Sequence, residues 1–160
     1  MKPHLSYSNT FQASRNYYFT LYALIFLFSL RVLGQWIQTY NPVTWLPQLE
    51  QWQGSNIPYW LLLSIQLLII SLMVYLTYSY HHGKVAANRT KGHVLLCIGL
   101  IYFITMLIRL LVGIFNLTDL SWFDKLIPAF FHLVLAGYIM LLASYHLQYT
   151  LIGNANHACD

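Results

Sequence analysis

HVLLCIGLIYFITMLIRLLVGIFN, residues His93 to Asn116, carries one charge, Arg109, in an otherwise apolar run. A helix rises about 1.5 Å per residue, so such a run spans the roughly 30 Å hydrocarbon layer of a bilayer. Apolar residues do not alternate with polar ones along it, as they would in a membrane β-strand. Three further runs of this kind flank it, from about Tyr17 to Gln38, Pro58 to Tyr80 and Ser121 to Tyr149. The reading is an all-α, polytopic membrane protein, a bundle of four transmembrane helices. It forms a single domain over residues 1–160 with a tail from 150, disordered from Gly153 onward.

Composition agrees. Of 160 residues 58% are hydrophobic and 8% charged, against about a quarter charged in soluble domains. Twelve charged side chains cannot cover a water-exposed surface. The net charge of +4 is scattered beside apolar runs, which fits membrane orientation and not nucleic-acid binding. Cys97 and Cys159 are far apart and form no CxxC, so neither a thiol redox pair nor a metal site of usual spacing is expected. No nucleophile motif, phosphate loop or catalytic carboxylate pair is present.

The first span has no small-residue cleavage pattern after Trp36-Ile37-Gln38, so it is expected to persist as an anchor. Lys2, Arg15, Lys84, Arg89 and Lys91 fall on one side of the membrane and only Lys125 on the other. The positive-inside rule then places both termini in the cytoplasm of a cell-membrane protein. The long connection from Thr39 to Ile57 places Trp45, Leu49 and Trp52 at helical spacing. A short interfacial helix is expected there, with an aromatic belt as the simpler alternative. Ser55 and Asn56 before Pro58 resemble a helix start. Ser121-Trp122-Phe123-Asp124 resembles a capping box, and Pro128 falls in the first turns that tolerate it.

The informative residues are those that lipid excludes. Arg31 and Arg109 lie inside spans one and three, where a charge costs at least about 2.5 kcal/mol. Helical rise puts Arg31 about 21 Å above Tyr17, Arg109 about 24 Å above His93, Gln66 about 12 Å below Pro58 and His132 about 16 Å below Ser121. All four reach the outer half. Arg31, Gln35 and Gln38 share a face of span one, beside Gly34. Tyr102, Thr105, Arg109, Gly113 and Asn116 form a stripe on span three. Tyr59, Gln66, Met73 and Thr77 share a side of span two, and His132, Ala136, Ala143 and His146 a side of span four. A polar pocket of Arg31, Gln35, Gln66, Arg109 and His132 is therefore expected, with Glu50, Asp119 and Asp124 at its rim. It would hold an anionic lipid, a quinone or a carboxylate, with His132 able to exchange a proton. The alternative is structural: the arginines pair or snorkel, and the glutamines tie helices together.

Three functions stay open. The first is an accessory or scaffolding subunit that packs against a membrane partner or a second copy. The second is a ligand-binding membrane protein or enzyme. The third is a haem-carrying electron carrier using His82, His93 and His146 at the inner edge. No cofactor is expected under the first two, and a lone channel or alternating-access carrier is not favoured by four helices without broken repeats.

The Arg31-Val32-Leu33-Gly34-Gln35 segment, Trp45-Leu46-Pro47, Trp52, Gly54, Pro58-Tyr59 and Gln66 form a pattern. Tyr102, Arg109, the run Ile127-Pro128-Ala129-Phe130-Phe131-His132 and Tyr145-His146 continue it. It resembles a group of small uncharacterised bacterial inner-membrane proteins of four helices. The resemblance implies a membrane bundle and carries no catalytic residue over. The arginine and glycine of span one are also similar to DoxX-like four-helix proteins, through one short pattern.

Overall fold

In the computed structural model the chain is described over residues 15–52, 57–115 and 125–157. Five helices follow in order: α1 Arg15–Tyr40, α2 Leu49–Trp52, α3 Tyr59–His81, α4 Arg89–Ile114 and α5 Leu126–His157. Four are long and apolar enough to cross a membrane, α5 over Leu126–Gln148. The chain is a four-helix membrane bundle.

The expected spans hold to within a few residues at their ends, except at the start of α5. Its first helical residue is Leu126, while Ser121 to Asp124 lie outside the described residues, as do Ser55 and Asn56. Pro128 sits in the first turn, where its missing N–H has no helical acceptor to lose. Of the tail expected to be disordered from Gly153, the backbone is helical to His157, and residues 158–160 lie outside the described ones. No proline interrupts this stretch, and a single glycine lowers helix propensity by only about 1 kcal/mol.

Helix ends are made locally. Asn88 caps α4, its side chain accepting from the Lys91 N–H at 3.1 Å. Gly83 adopts a positive φ of 63° after α3. This turns the chain so that the N–H groups of Gly83 and Lys84 reach the carbonyls of Tyr80 and Ser79. The chain thus reverses direction between α3 and α4 with the N–H groups of His82, Gly83, Lys84 and Asn88 bonded.

α1 and α5 are the inner pair. α3 packs along α1, and α4 along α5. Among the described residues no Cα of α3 comes within 8 Å of one on α4 or α5. The helices therefore follow one another as α3, α1, α5, α4, and one side of the bundle is not closed by backbone approach. α4 and α5 lie tightest, because Gly92 and Gly99 have no side chain. A Cβ at Gly92 would stand 2.9 Å from Leu147 and one at Gly99 2.9 Å from Met140. Ala136 and Ala143 on α5 are fully buried, as expected for small residues at a membrane-helix contact. The apolar core, around Leu21, Ile25, Met73 and Leu142, occupies the half of the bundle near the Gly83 turn.

Candidate functional site

The other half holds α2 and the expected polar layer. Arg31 lies nine residues before the end of α1, and Gln66 seven after the start of α3. Arg109 lies five before the end of α4, and His132 six after the start of α5. Helical rise therefore places all four within about 8–14 Å of the same end of the bundle. Arg31 is 7% exposed, Gln66 3% and Arg109 3%. All four side chains line one cavity of about 280 Å³.

The cavity wall is mostly apolar. Phe28, Leu62, Ile65, Ile69, Met106 and Phe131 contribute to it. The Arg31 guanidinium lies over the Phe131 ring, 5.5 Å from its centroid, a cation–π geometry that offsets part of the burial. One Arg31 nitrogen donates to the Trp52 carbonyl at 3.4 Å, a long bond. Its Nε–H finds no acceptor.

Gln35 is fully buried and joins the site by accepting from the Gln66 amide at 3.0 Å. That bond ties α1 to α3 and leaves two amide atoms unpartnered, Nε2 of Gln35 and Oε1 of Gln66. Exchanging the oxygen and nitrogen of either amide does not remove the shortfall, since one bond uses only one donor and one acceptor.

His132 of the expected pocket is held by a residue of the expected stripe that was not assigned to the pocket. Tyr102 Oη and His132 Nδ1 lie 2.6 Å apart and share a hydrogen bond between α4 and α5. Tyr102, seven residues before Arg109, was already on the expected stripe; it is not among the cavity lining and meets the site through His132. Its neighbour on the expected stripe, Thr105, is corrected: it is exposed and its hydroxyl donates back to the Ile101 carbonyl at 2.8 Å. Four residues before Arg109, it falls on the edge of the stripe and turns toward lipid.

Trp52 was expected at the interface and is 7% exposed. Gly34 makes room for it, since a Cβ there would approach the indole to 3.0 Å. The indole N–H donates to the Pro47 carbonyl at 2.9 Å. Trp45 is 76% exposed and lies outside the four-residue helix α2, so only part of the expected segment is helical. Gln38 accepts from the Val43 N–H at 3.1 Å and ties the chain beyond α1 back to the helix. Glu50 belongs to α2 by its backbone; the other two rim residues, Asp119 and Asp124, lie outside the described residues.

The histidines are placed differently. His146 is buried at 2% exposure. Its Nδ1 accepts from the Asn88 N–H at 3.2 Å, so the ring proton sits on Nε2 and faces the Tyr80 hydroxyl at 2.8 Å. Both ring nitrogens are thus engaged within the bundle. His82 and His93 are exposed, and the Nδ1 of each bonds the carbonyl four residues earlier. Among the described residues no three His, Cys, Asp or Glu side chains come together as a metal site would require.

No family model, curated protein or solved structure matches the chain. The site's own chemistry carries what can be said of it.

Proposed function

We propose that this chain is a ligand-binding membrane protein. Its pocket takes the oxygen-bearing head of a small lipid-soluble molecule, such as an anionic lipid, a quinone or a carboxylate. One observation carries the reading: Arg31 and Gln66, which line one cavity, each keep a buried polar atom without a partner. Buried polar groups are nearly always satisfied, so a cluster of orphans beside a void argues for a guest. Two arginines on one small cavity add attraction for negative charge. A role in helix packing alone accounts for the Gln35–Gln66 bond but not for the atoms it leaves over. His132, bonded to Tyr102, stands where it can hand a proton to the guest or take one.

The end carrying α2 faces away from the cytoplasm in this reading. Arg15, Lys84, Arg89 and Lys91 gather at the opposite end, which the positive-inside rule assigns to the cytoplasm of a cell membrane.

Native mass spectrometry in a mild detergent tests the reading. The wild-type protein should carry a reproducible extra mass. Arg31→Met should lose it while unfolding at an equal or higher temperature, since an apolar replacement of a poorly paired buried charge is neutral or stabilising by about 1–4 kcal/mol. A bare wild-type protein, or an adduct retained in Arg31→Met, overturns the reading and leaves the accessory-subunit role.

A further inference from the structure

The ligand must lie partly outside the pocket. A cavity of about 280 Å³ falls at the lower bound of small-molecule sites, which run from about 300 to 1,000 Å³. It holds a head group and not a whole lipid. Three of the four sides around it are closed by packed helices: α1 against α3, α1 against α5, and α4 against α5. The fourth is the seam between α3 and α4, where no backbone approach occurs among the described residues. Trp52, wedged on Gly34 and bonded through its carbonyl to Arg31, covers Arg31 from the α2 side.

The seam is apolar from the pocket outward. Ile65 and Ile69 line its α3 side and Met106 its α4 side. It is open again farther along, where Leu76 of α3 and Val94 and Leu95 of α4 form the apolar part of a second cavity of about 400 Å³, whose far part is lined by Tyr80, Thr90, Lys91 and His146. About 15 Å of helical rise separates Gln66 from Leu76, half the thickness of the hydrocarbon layer. A hydrocarbon tail lying there leaves one apolar medium for another, so no water has to be displaced from it.

We infer that the ligand is a bilayer amphiphile with one hydrocarbon tail and an anionic oxygen head. It reaches Arg31 sideways from the lipid between α3 and α4, and its tail rests in the seam. This rests on the pocket reading above, to which it adds the ligand class and the route. The head follows from the charge of the lining: the Arg31 and Arg109 guanidinium groups both line the cavity and are matched by carboxylate or phosphate oxygens. The Gln66 carbonyl is left for a hydroxyl on the same head.

The test uses the full chain in phosphatidylcholine nanodiscs with two photoreactive probes. One is a palmitate analogue and the other a monoalkyl phosphate of equal length, each with a mid-chain diazirine. Labelled peptides are mapped by mass spectrometry. Labels should concentrate on the α3 and α4 residues of the seam and fall roughly tenfold with excess unlabelled amphiphile. Ile69→Trp, which fills the mouth, should give a similar loss. Leu68→Trp, on a residue 69% exposed to lipid, should give none. Met106→Trp narrows the mouth from α4 and replaces Ile69→Trp if that variant aggregates. The probe that labels more strongly names the head group. Labels spread evenly over all lipid-facing surfaces, or unchanged by either plug, overturn the inference, as does failure of both probes. If the Arg31-dependent adduct persists while the seam stays unlabelled, the pocket stands and the lateral route falls. If no adduct forms either, both fall.

Discussion

The two ends of the bundle carry similar polar residues and use them differently. Near the Gly83 turn, Tyr17, Tyr18, Tyr80, Tyr138 and His146 form a network in which each has a partner. Tyr18 donates to the Tyr80 carbonyl at 3.0 Å, Tyr138 to the Met73 carbonyl at 2.7 Å, and Thr77 bonds Tyr138 at 2.9 Å. Near α2, Arg31 and Gln66 line a void, and each keeps a buried polar atom without a partner, as does Gln35 behind Gln66. The tyrosines, Thr77 and His146 of the turn end are satisfied, while Arg31, Gln35 and Gln66 of the α2 end are satisfied only in part. The satisfied end joins helices: α3 makes no close backbone approach to α5, and the long tyrosines of the turn end bridge that distance. The unsatisfied end is free to recognise something else.

That contrast can be broken by substitution. The largest effect is expected at the satisfied end. His146→Ala removes a buried ring and leaves the Asn88 N–H and the Tyr80 hydroxyl without it, which costs about 3 kcal/mol. Thermal unfolding in detergent should show the loss while the adduct on the α2 end is kept. Loss of the adduct at unchanged stability would mean that the two ends are not separate in role.

Next in size is the α4–α5 contact. Gly92→Val forces a side chain into the space held by Leu147 and the His146 Cβ, both within 3.0 Å of a new Cβ. Overpacking of this kind costs about 1–3 kcal/mol. Unchanged unfolding would show that α4 slides freely on α5.

The smallest effects sharpen the boundary of the pocket. Tyr102→Phe leaves His132 without its 2.6 Å partner and should cost about 1 kcal/mol, with weaker adduct formation. Thr105→Val, one turn away on the lipid side, should stay within about 0.5 kcal/mol of wild type and keep the adduct. Equal effects at both positions, read by unfolding and by native mass, would remove Tyr102 from the site.

Much of the candidate site was legible because depth in a helix is set by local geometry. A fixed rise per residue brings Arg31, Gln66, Arg109 and His132 to one level whatever their neighbours. Partners were not legible. Trp52 reads as an interfacial aromatic from its spacing, and only its seat against Gly34 shows that it belongs to the pocket. Thr105 and Tyr102 lie three residues apart on one nominal stripe, and packing alone separates the lipid-facing residue from the one that bonds His132.

The sequence by itself determined four membrane-spanning helices, their approximate ends and the common depth of the polar residues. These follow from hydrophobic length, the need for backbone hydrogen bonds inside lipid and the helical rise. Only the tertiary structure decided which helices touch, that Gln35 meets Gln66 and Tyr102 meets His132, and that the seam between α3 and α4 stays apart. Lipid is as apolar as a leucine side chain, so a face turned to the bilayer and a face turned to another helix read alike until the helices are in place.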